Sequence, residues 1–108
     1  IVKLTKKYNE SGEWLLKEND STKIGISKDS ADQMGELVYI EPMFDKGDNV
    51  DKDEELVALE SVKATESINA PFDCMILDNN DIIIDDPSII NKDPENVNDA
   101  WFIKIKEK

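Results

Sequence analysis

Leu56-Val57-Ala58-Leu59-Glu60-Ser61-Val62-Lys63-Ala64-Thr65-Glu66-Ser67-Ile68-Asn69-Ala70-Pro71 is the stretch that decides how this chain folds. The apolar runs on either side of Ser61–Ala64 read as two strands, and the small and polar residues between them read as a tight connection. Lys63 stands at its tip, and Ser61 and Ala64 are small enough to leave that tip open. Taken alone, Lys63 is one of 13 lysines, and an ordinary surface lysine is the simpler reading. It is set apart by its place in the only tight turn flanked on both sides by apolar strand runs. A lysine displayed in this way suits covalent loading by another protein better than catalysis in place.

Outward from this turn, short strands predominate. Glu13–Lys17 and Thr22–Ser27 are rich in strand formers, and Glu18-Asn19-Asp20-Ser21 between them reads as a hairpin turn. The spacing predicts a helix over Lys28–Met34, with Ser27 as N-cap, Asp29 in the first turn and Gly35 as the stop. Glu36–Glu41 reads as a strand halted by Pro42, Lys46-Gly47-Asp48 as a turn, and Asp51–Glu54 as a solvated connection. Leu56–Glu60, Glu66–Ala70 and Cys74–Asn79 continue the sheet, with Pro71 where a ladder donor is missing. Asn80–Asn91 reads as irregular, with one or two helical turns starting near Pro87. Trp101–Lys106 alternates Phe102 and Lys104 with Ile103 and Ile105, a final strand with one wet face. Trp14 and Trp101 are expected in core or inter-sheet packing. The sum is a mostly-β sandwich or flattened barrel, in one domain over residues 1–108.

Composition narrows the chemistry. The formal charge is −12, from 25 acidic residues against 13 lysines, with no arginine and no histidine. The usual neutral-pH base and metal ligand is therefore absent, as is the bidentate phosphate clamp. Such a charge argues against nucleic acid and anionic membrane surfaces, and it favours partners with basic docking faces. Solubility alone explains it equally well. The single cysteine, Cys74, excludes an internal disulfide and a cysteine-rich metal site, and reads as a small buried hydrophobe. No apolar run approaches membrane-spanning length.

The lysine turn resembles the lipoyl-lysine loop of the glycine cleavage system H-protein family, whose usual form is Glu-Ser-Val-Lys-Ala followed by Ala-Pro. Here these are Glu60-Ser61-Val62-Lys63-Ala64 and Ala70-Pro71. Glu13-Trp14, Ile24-Gly25-Ile26, Gly35-Glu36-Leu37-Val38-Tyr39-Ile40-Glu41, Asn80, Pro87, Ile89-Ile90-Asn91, Asp93-Pro94 and Trp101-Phe102-Ile103-Lys104-Ile105 follow in the family's order and spacing. The resemblance implies a lipoyl/biotinyl-type β-sandwich (a flattened barrel-sandwich hybrid) with short helices, and lipoate attached covalently to Lys63. It implies a carrier and not an enzyme, one that takes the aminomethyl group of glycine from glycine decarboxylase to the aminomethyltransferase. Dihydrolipoamide dehydrogenase would then reoxidise the arm, and a lipoate-attaching enzyme would load it. A surface cleft would shelter the loaded arm, with Glu13 as the partner of its amine and Ser11 and Ser67 as weaker candidates. For Glu13, a surface carboxylate beside a core tryptophan is an equal reading. Family context further implies a monomer in the mitochondrial matrix, or alternatively in a bacterial cytoplasm. The start at Ile1 instead of Met adds the expectation that an N-terminal segment has been removed.

This chain departs from the family pattern at several places. Gly12 stands where histidine usually precedes the Glu-Trp pair, Asp73-Cys74 replaces Ser-Gly, and Ala100 replaces the glycine before the late tryptophan. Ser67, with Glu66 beside it, occupies the position of an acidic residue four after the lysine. The two lost glycines predict altered turn geometry. Three other readings stay open. The Asp-Lys-Ala or Met-Lys-Met turns typical of 2-oxoacid dehydrogenase and carboxylase modules are absent, which argues against the first. The second is a lipoate relay serving other carriers, and the third is a binding module that has lost the reaction.

Overall fold

The structure is a computed structural model and describes residues 4–108. Among these residues, nine strands form two antiparallel sheets. They are β1 (Lys7–Tyr8), β2 (Glu13–Glu18), β3 (Ser21–Ile26), β4 (Leu37–Pro42), β5 (Asn49–Val50), β6 (Glu55–Ser61), β7 (Thr65–Asn69), β8 (Cys74–Asn79) and β9 (Ile103–Glu107). One sheet has the order β1-β2-β3-β9-β8-β5, the other β4-β6-β7. Three short helices, α1 (Lys28–Met34), α2 (Asp81–Asp85) and α3 (Ser88–Lys92), complete the mostly-β sandwich. Inward residues of both sheets, among them Ile24, Ile40, Leu56, Ile68, Ile76 and Ile105, meet in one buried cluster.

Local chemistry explains the elements that matter for the site. Asn19 takes φ +57 at the β2–β3 turn, a conformation that asparagine tolerates better than most residues. In α1, the Ser27 hydroxyl accepts from the Ser30 amide at 3.1 Å, and Gly35 ends the helix at φ +84 with its N–H on the Ala31 carbonyl. That left-handed conformation is why a glycine stands there. The central strand β6 pairs with β4 on one side and β7 on the other, in register Glu60↔Tyr39 and Glu60↔Thr65.

Some expectations need correction. Asn80–Asn91 is not irregular: Ile82-Ile83-Ile84 lies in α2, which buries Ile83 and leaves Ile82 66% exposed, while α3 begins just after Pro87 as expected. The buried Asn80 at the start of α2 does not cap it. Its side-chain N–H groups donate to the Asp99 and Trp101 carbonyls at 3.1 and 2.7 Å instead. The last strand starts at Ile103, and Phe102 is buried rather than on a wet face. Its N–H is on the Ile24 carbonyl and its own carbonyl accepts from Asn80. Pro42 is paired within β4, which an edge strand allows because the missing donor can face outward. Neither Cys74 nor Ala100 takes a positive φ, since among described non-glycine residues only Asn19 and Asp53 do. Replacing those two glycines therefore leaves the turns unstrained. Cys74 is fully buried, and that burial pushes its thiol pKa up.

Trp14 is fully buried, as expected, with its indole N–H on the Pro94 carbonyl at 2.8 Å and the Lys6 ammonium 5.0 Å from its ring. Trp101 is only half-buried, between the ammonium groups of Lys23 and Lys104 at 5.7 and 5.1 Å. Gly25 faces Trp14 across the β2–β3 ladder, and a Cβ there would stand 2.2 Å from the indole. The Gly25→Ala variant should therefore lose roughly 1–3 kcal/mol by overpacking, read as a lower urea midpoint with perturbed tryptophan emission.

Candidate functional site

The β6–β7 turn is fastened from beneath by one side chain. Ser61 is buried, and its hydroxyl donates to the Met34 carbonyl at 2.7 Å. The same oxygen accepts from the backbone N–H groups of Lys63 and Ala64 at 3.2 and 3.0 Å. The Ser61 N–H closes the turn on the Ala64 carbonyl at 2.8 Å, and the Val62 N–H reaches the Glu36 carbonyl at 3.0 Å. The turn is thus bonded to the segment that leaves α1, while Glu60, Val62 and Lys63 face outward and Ala64 is half-buried.

Lys63 makes no ion pair with the described residues, whose two ion pairs are Lys6–Glu95 and Lys28–Asp32. Its stem runs over Gly35, where a Cβ would approach the Lys63 Cε to 3.0 Å. That end of an exposed lysine can move aside, so it is the positive φ at the end of α1 that asks for glycine here. Asn91 steadies the same segment from α3. Its side-chain oxygen accepts from the Leu37 N–H at 2.9 Å and its amide group donates to the Leu37 carbonyl at 3.1 Å.

Beside Ala64 a cleft of about 300 Å³ opens at the seam between the two sheets. Ile26, Met34, Leu59 and Ile68 supply apolar walls, and Ser11, Glu13 and Ser67 all border it, so the structure brings the three expected cleft residues together. Ser30, Gln33 and Glu66 border it as well. The first two went unnoticed in the sequence because they belong to a helix, whose spacing said nothing of a cleft. Ser67 also borders a groove on the outer face of the three-stranded sheet, and its hydroxyl is bonded to Asn69 at 3.1 Å, so it sits at the rim. Glu13 is only 6% exposed. Burial pushes its carboxyl pKa up, against the opposing hydrogen bond from the Asn9 side chain at 2.9 Å.

An exposed primary amine beside a partly apolar cleft with one buried carboxylate fits a long, thin, mainly apolar acyl group ending in a polar head. The volume is at the lower end for small-molecule sites. The donor set is wrong for a metal, and no group of three or more acidic or cysteine side chains among the described residues could hold one.

Two consequences are measurable. Ser61→Ala leaves the Lys63 and Ala64 amides without their acceptor and should lower unfolding free energy by about 1–3 kcal/mol in denaturant titrations. For Glu13, protonation is easier in the folded than in the unfolded chain. Its contribution is thus intact below the ordinary glutamate pKa, declines as pH rises toward the elevated folded value, and is flat above it. Glu13→Gln should accordingly raise the melting temperature at neutral pH and have a smaller effect in acid.

Residues 6–108 match the model of a family described as "Glycine cleavage H-protein". A glycine cleavage system H protein from Prochlorococcus marinus (strain MIT 9515) is 38% identical over 100 residues, covering 93% of this chain and 75% of that one. Its counterpart from Dinoroseobacter shibae is 39% identical over 99 residues, covering 92% and 79%. In fold, the chain is similar to the crystal structure of a glycine cleavage system H protein from Mycobacterium marinum, with a TM-score of 0.85 over 95% of this chain and 84% of that one, at 23% identity. These relatives are bacterial, and none supports a place in the mitochondrial matrix. With its lysine turn, sandwich fold and a family match over residues 6–108, the chain belongs to the glycine cleavage H-protein family, lipoyl carriers that are non-catalytic components of the glycine cleavage system.

Proposed function

We propose that Lys63 is the lipoate attachment point and that the chain carries the aminomethyl group of glycine from glycine decarboxylase to the aminomethyltransferase. Dihydrolipoamide dehydrogenase and a lipoate-attaching enzyme complete the set of partners. The observation that carries this reading is the pairing of an exposed Lys63, on a turn held by Ser61, with the cleft that opens one residue further on at Ala64. Attached there, lipoate supplies the disulfide and dithiol chemistry that bears a one-carbon amine.

The chain's own residues do the rest. Glu60, Ser61, Val62 and Ala64 present the lysine to the attaching enzyme, with Ser61 holding the turn in shape. Ile26, Met34, Leu59 and Ile68 exclude water from whatever enters the cleft. Burial makes the Glu13 carboxylate costlier than an ordinary one, and a cationic amine beside it would offset that cost and form a charge-assisted hydrogen bond. Ser11 and Ser67 offer further acceptors at the entrance. Tethering keeps the one-carbon unit at high effective concentration for each enzyme in turn. Glu41, Glu55, Glu60 and Glu66, which surround Tyr39 on the outer face of the three-stranded sheet, favour fast, weak encounters with basic faces. A carrier needs the sheltering cleft and a simple lipoate relay does not, so the cleft favours the carrier. The bacterial sources of the relatives support the bacterial cytoplasm as its location.

Exchange of labelled carbon dioxide into glycine, reconstituted with a glycine decarboxylase, tests the reading. The lipoylated wild type should support exchange and Lys63→Arg should fall to the no-carrier background. Unimpaired exchange by Lys63→Arg would refute the assignment. Glu13→Gln should still be loaded, yet lose its aminomethyl group to buffer about tenfold faster, the factor that a hydrogen bond to a charged group is worth.

A further inference from the structure

The Gly12 carbonyl accepts two hydrogen bonds at 2.9 Å, one from the Ser30 hydroxyl and one from the Ser27 N–H, both from the start of α1. The Ser27 hydroxyl in turn donates to the Ser30 oxygen at 3.0 Å and accepts from the Ser30 N–H at 3.1 Å. Gly12 takes φ +86, and a Cβ there would stand 1.9 Å from the Ser30 oxygen and 3.2 Å from its Cβ. A side chain at position 12 would therefore push the Ser30 hydroxyl off the Gly12 carbonyl, and the positive φ there favours glycine in any case. Gly12 lies between Ser11 and Glu13, and Ser30 lies one turn before Gln33 and Met34 on α1. All of these except Gly12 border the cleft. The Ser30–Gly12 bond consequently ties together two segments that border the cleft.

We infer that Ser30 is a positioning residue: its hydroxyl latches the Ser11–Glu13 segment to α1 and so sets the shape of the cleft in which the loaded arm is sheltered. This rests on the carrier reading above for what the cleft holds, although the latch itself exists without any cofactor. Removing the hydroxyl leaves the Ser27 N–H as the one remaining bond to the Gly12 carbonyl, so the β1–β2 turn loosens against α1 and water reaches Glu13, while the Ser61 bonds that hold the Lys63 turn are untouched.

Two readouts test the inference, using Ser30→Ala and the hydroxyl-conserving Ser30→Thr. In the unloaded protein, the Glu13 carboxyl followed by carbon-13 NMR should titrate nearer to an ordinary glutamate in Ser30→Ala and stay elevated in Ser30→Thr. In the lipoylated, aminomethyl-loaded protein, Ser30→Ala should release its cargo to buffer about fivefold faster, the factor that one neutral hydrogen bond is worth, with Ser30→Thr restoring most of the lifetime. The extent of lipoate attachment should be the same in all three. An unchanged Glu13 titration in Ser30→Ala, or a lifetime loss that threonine fails to restore, overturns the inference. Blocking the cleft from the exposed position 33 with Gln33→Trp separates the two levels. If that variant also leaves the lifetime unchanged, the carrier reading of the cleft fails. If it shortens the lifetime while Ser30→Ala does not, only the latch fails.

Discussion

The Ser61 hydroxyl donates to the Met34 carbonyl and accepts from the Lys63 and Ala64 amides, so one buried oxygen joins the β6–β7 turn to the end of α1. Much of the site depends on that junction. It decides where α1 delivers Gly35, and hence the surface over which the Lys63 stem lies. It also brings Met34 and Ala64 together as neighbouring walls of the cleft. Serine suits the position because it is short enough to be buried in a turn and can donate and accept at once. The two sheets supply the rigid frame, while the reactive amine itself stays free at the apex.

The cleft shows a different balance. Glu13 is a carboxylate removed from water, with one hydrogen bond from Asn9 in partial compensation. Its burial weakens the empty fold above the ordinary glutamate pKa and prepares the site for a cation. Such a conflict between local stability and function is common where a site must be ready before its ligand arrives. The rest of the surface, with net charge −12, has the opposite character: exposed, well hydrated and suited to brief encounters with several partners.

The lysine turn and α1 were legible in the sequence because each is bounded by residues with a local job. Ser27 and Gly35 cap the helix at both ends, and apolar runs close on the turn from both sides. Helix α2 was not legible. Three consecutive β-branched isoleucines have no helical signature, and Asn80 spends its side chain on Asp99 and Trp101 instead of on a cap, so burial of Ile83 has to decide. Glu13, Ser11 and Ser67 were named through resemblance, but Ser30 and Gln33 come to the cleft from a helix whose sequence reads only as a short capped helix. The strands β1 and β5, two residues each, exist because longer neighbours pair with them. The consequence of Gly12 was equally hidden, since its partner Ser30 is remote in sequence.

The central claim is that one amine out of thirteen is singled out by its setting. Site-resolved mass spectrometry of the protein after incubation with lipoate, ATP and a lipoate-attaching enzyme addresses it directly. The account predicts a single lipoyl increment confined to the peptide that contains Lys63. An increment spread over several lysines, or one located on a lysine outside the Ser61–Ala64 turn, would contradict it.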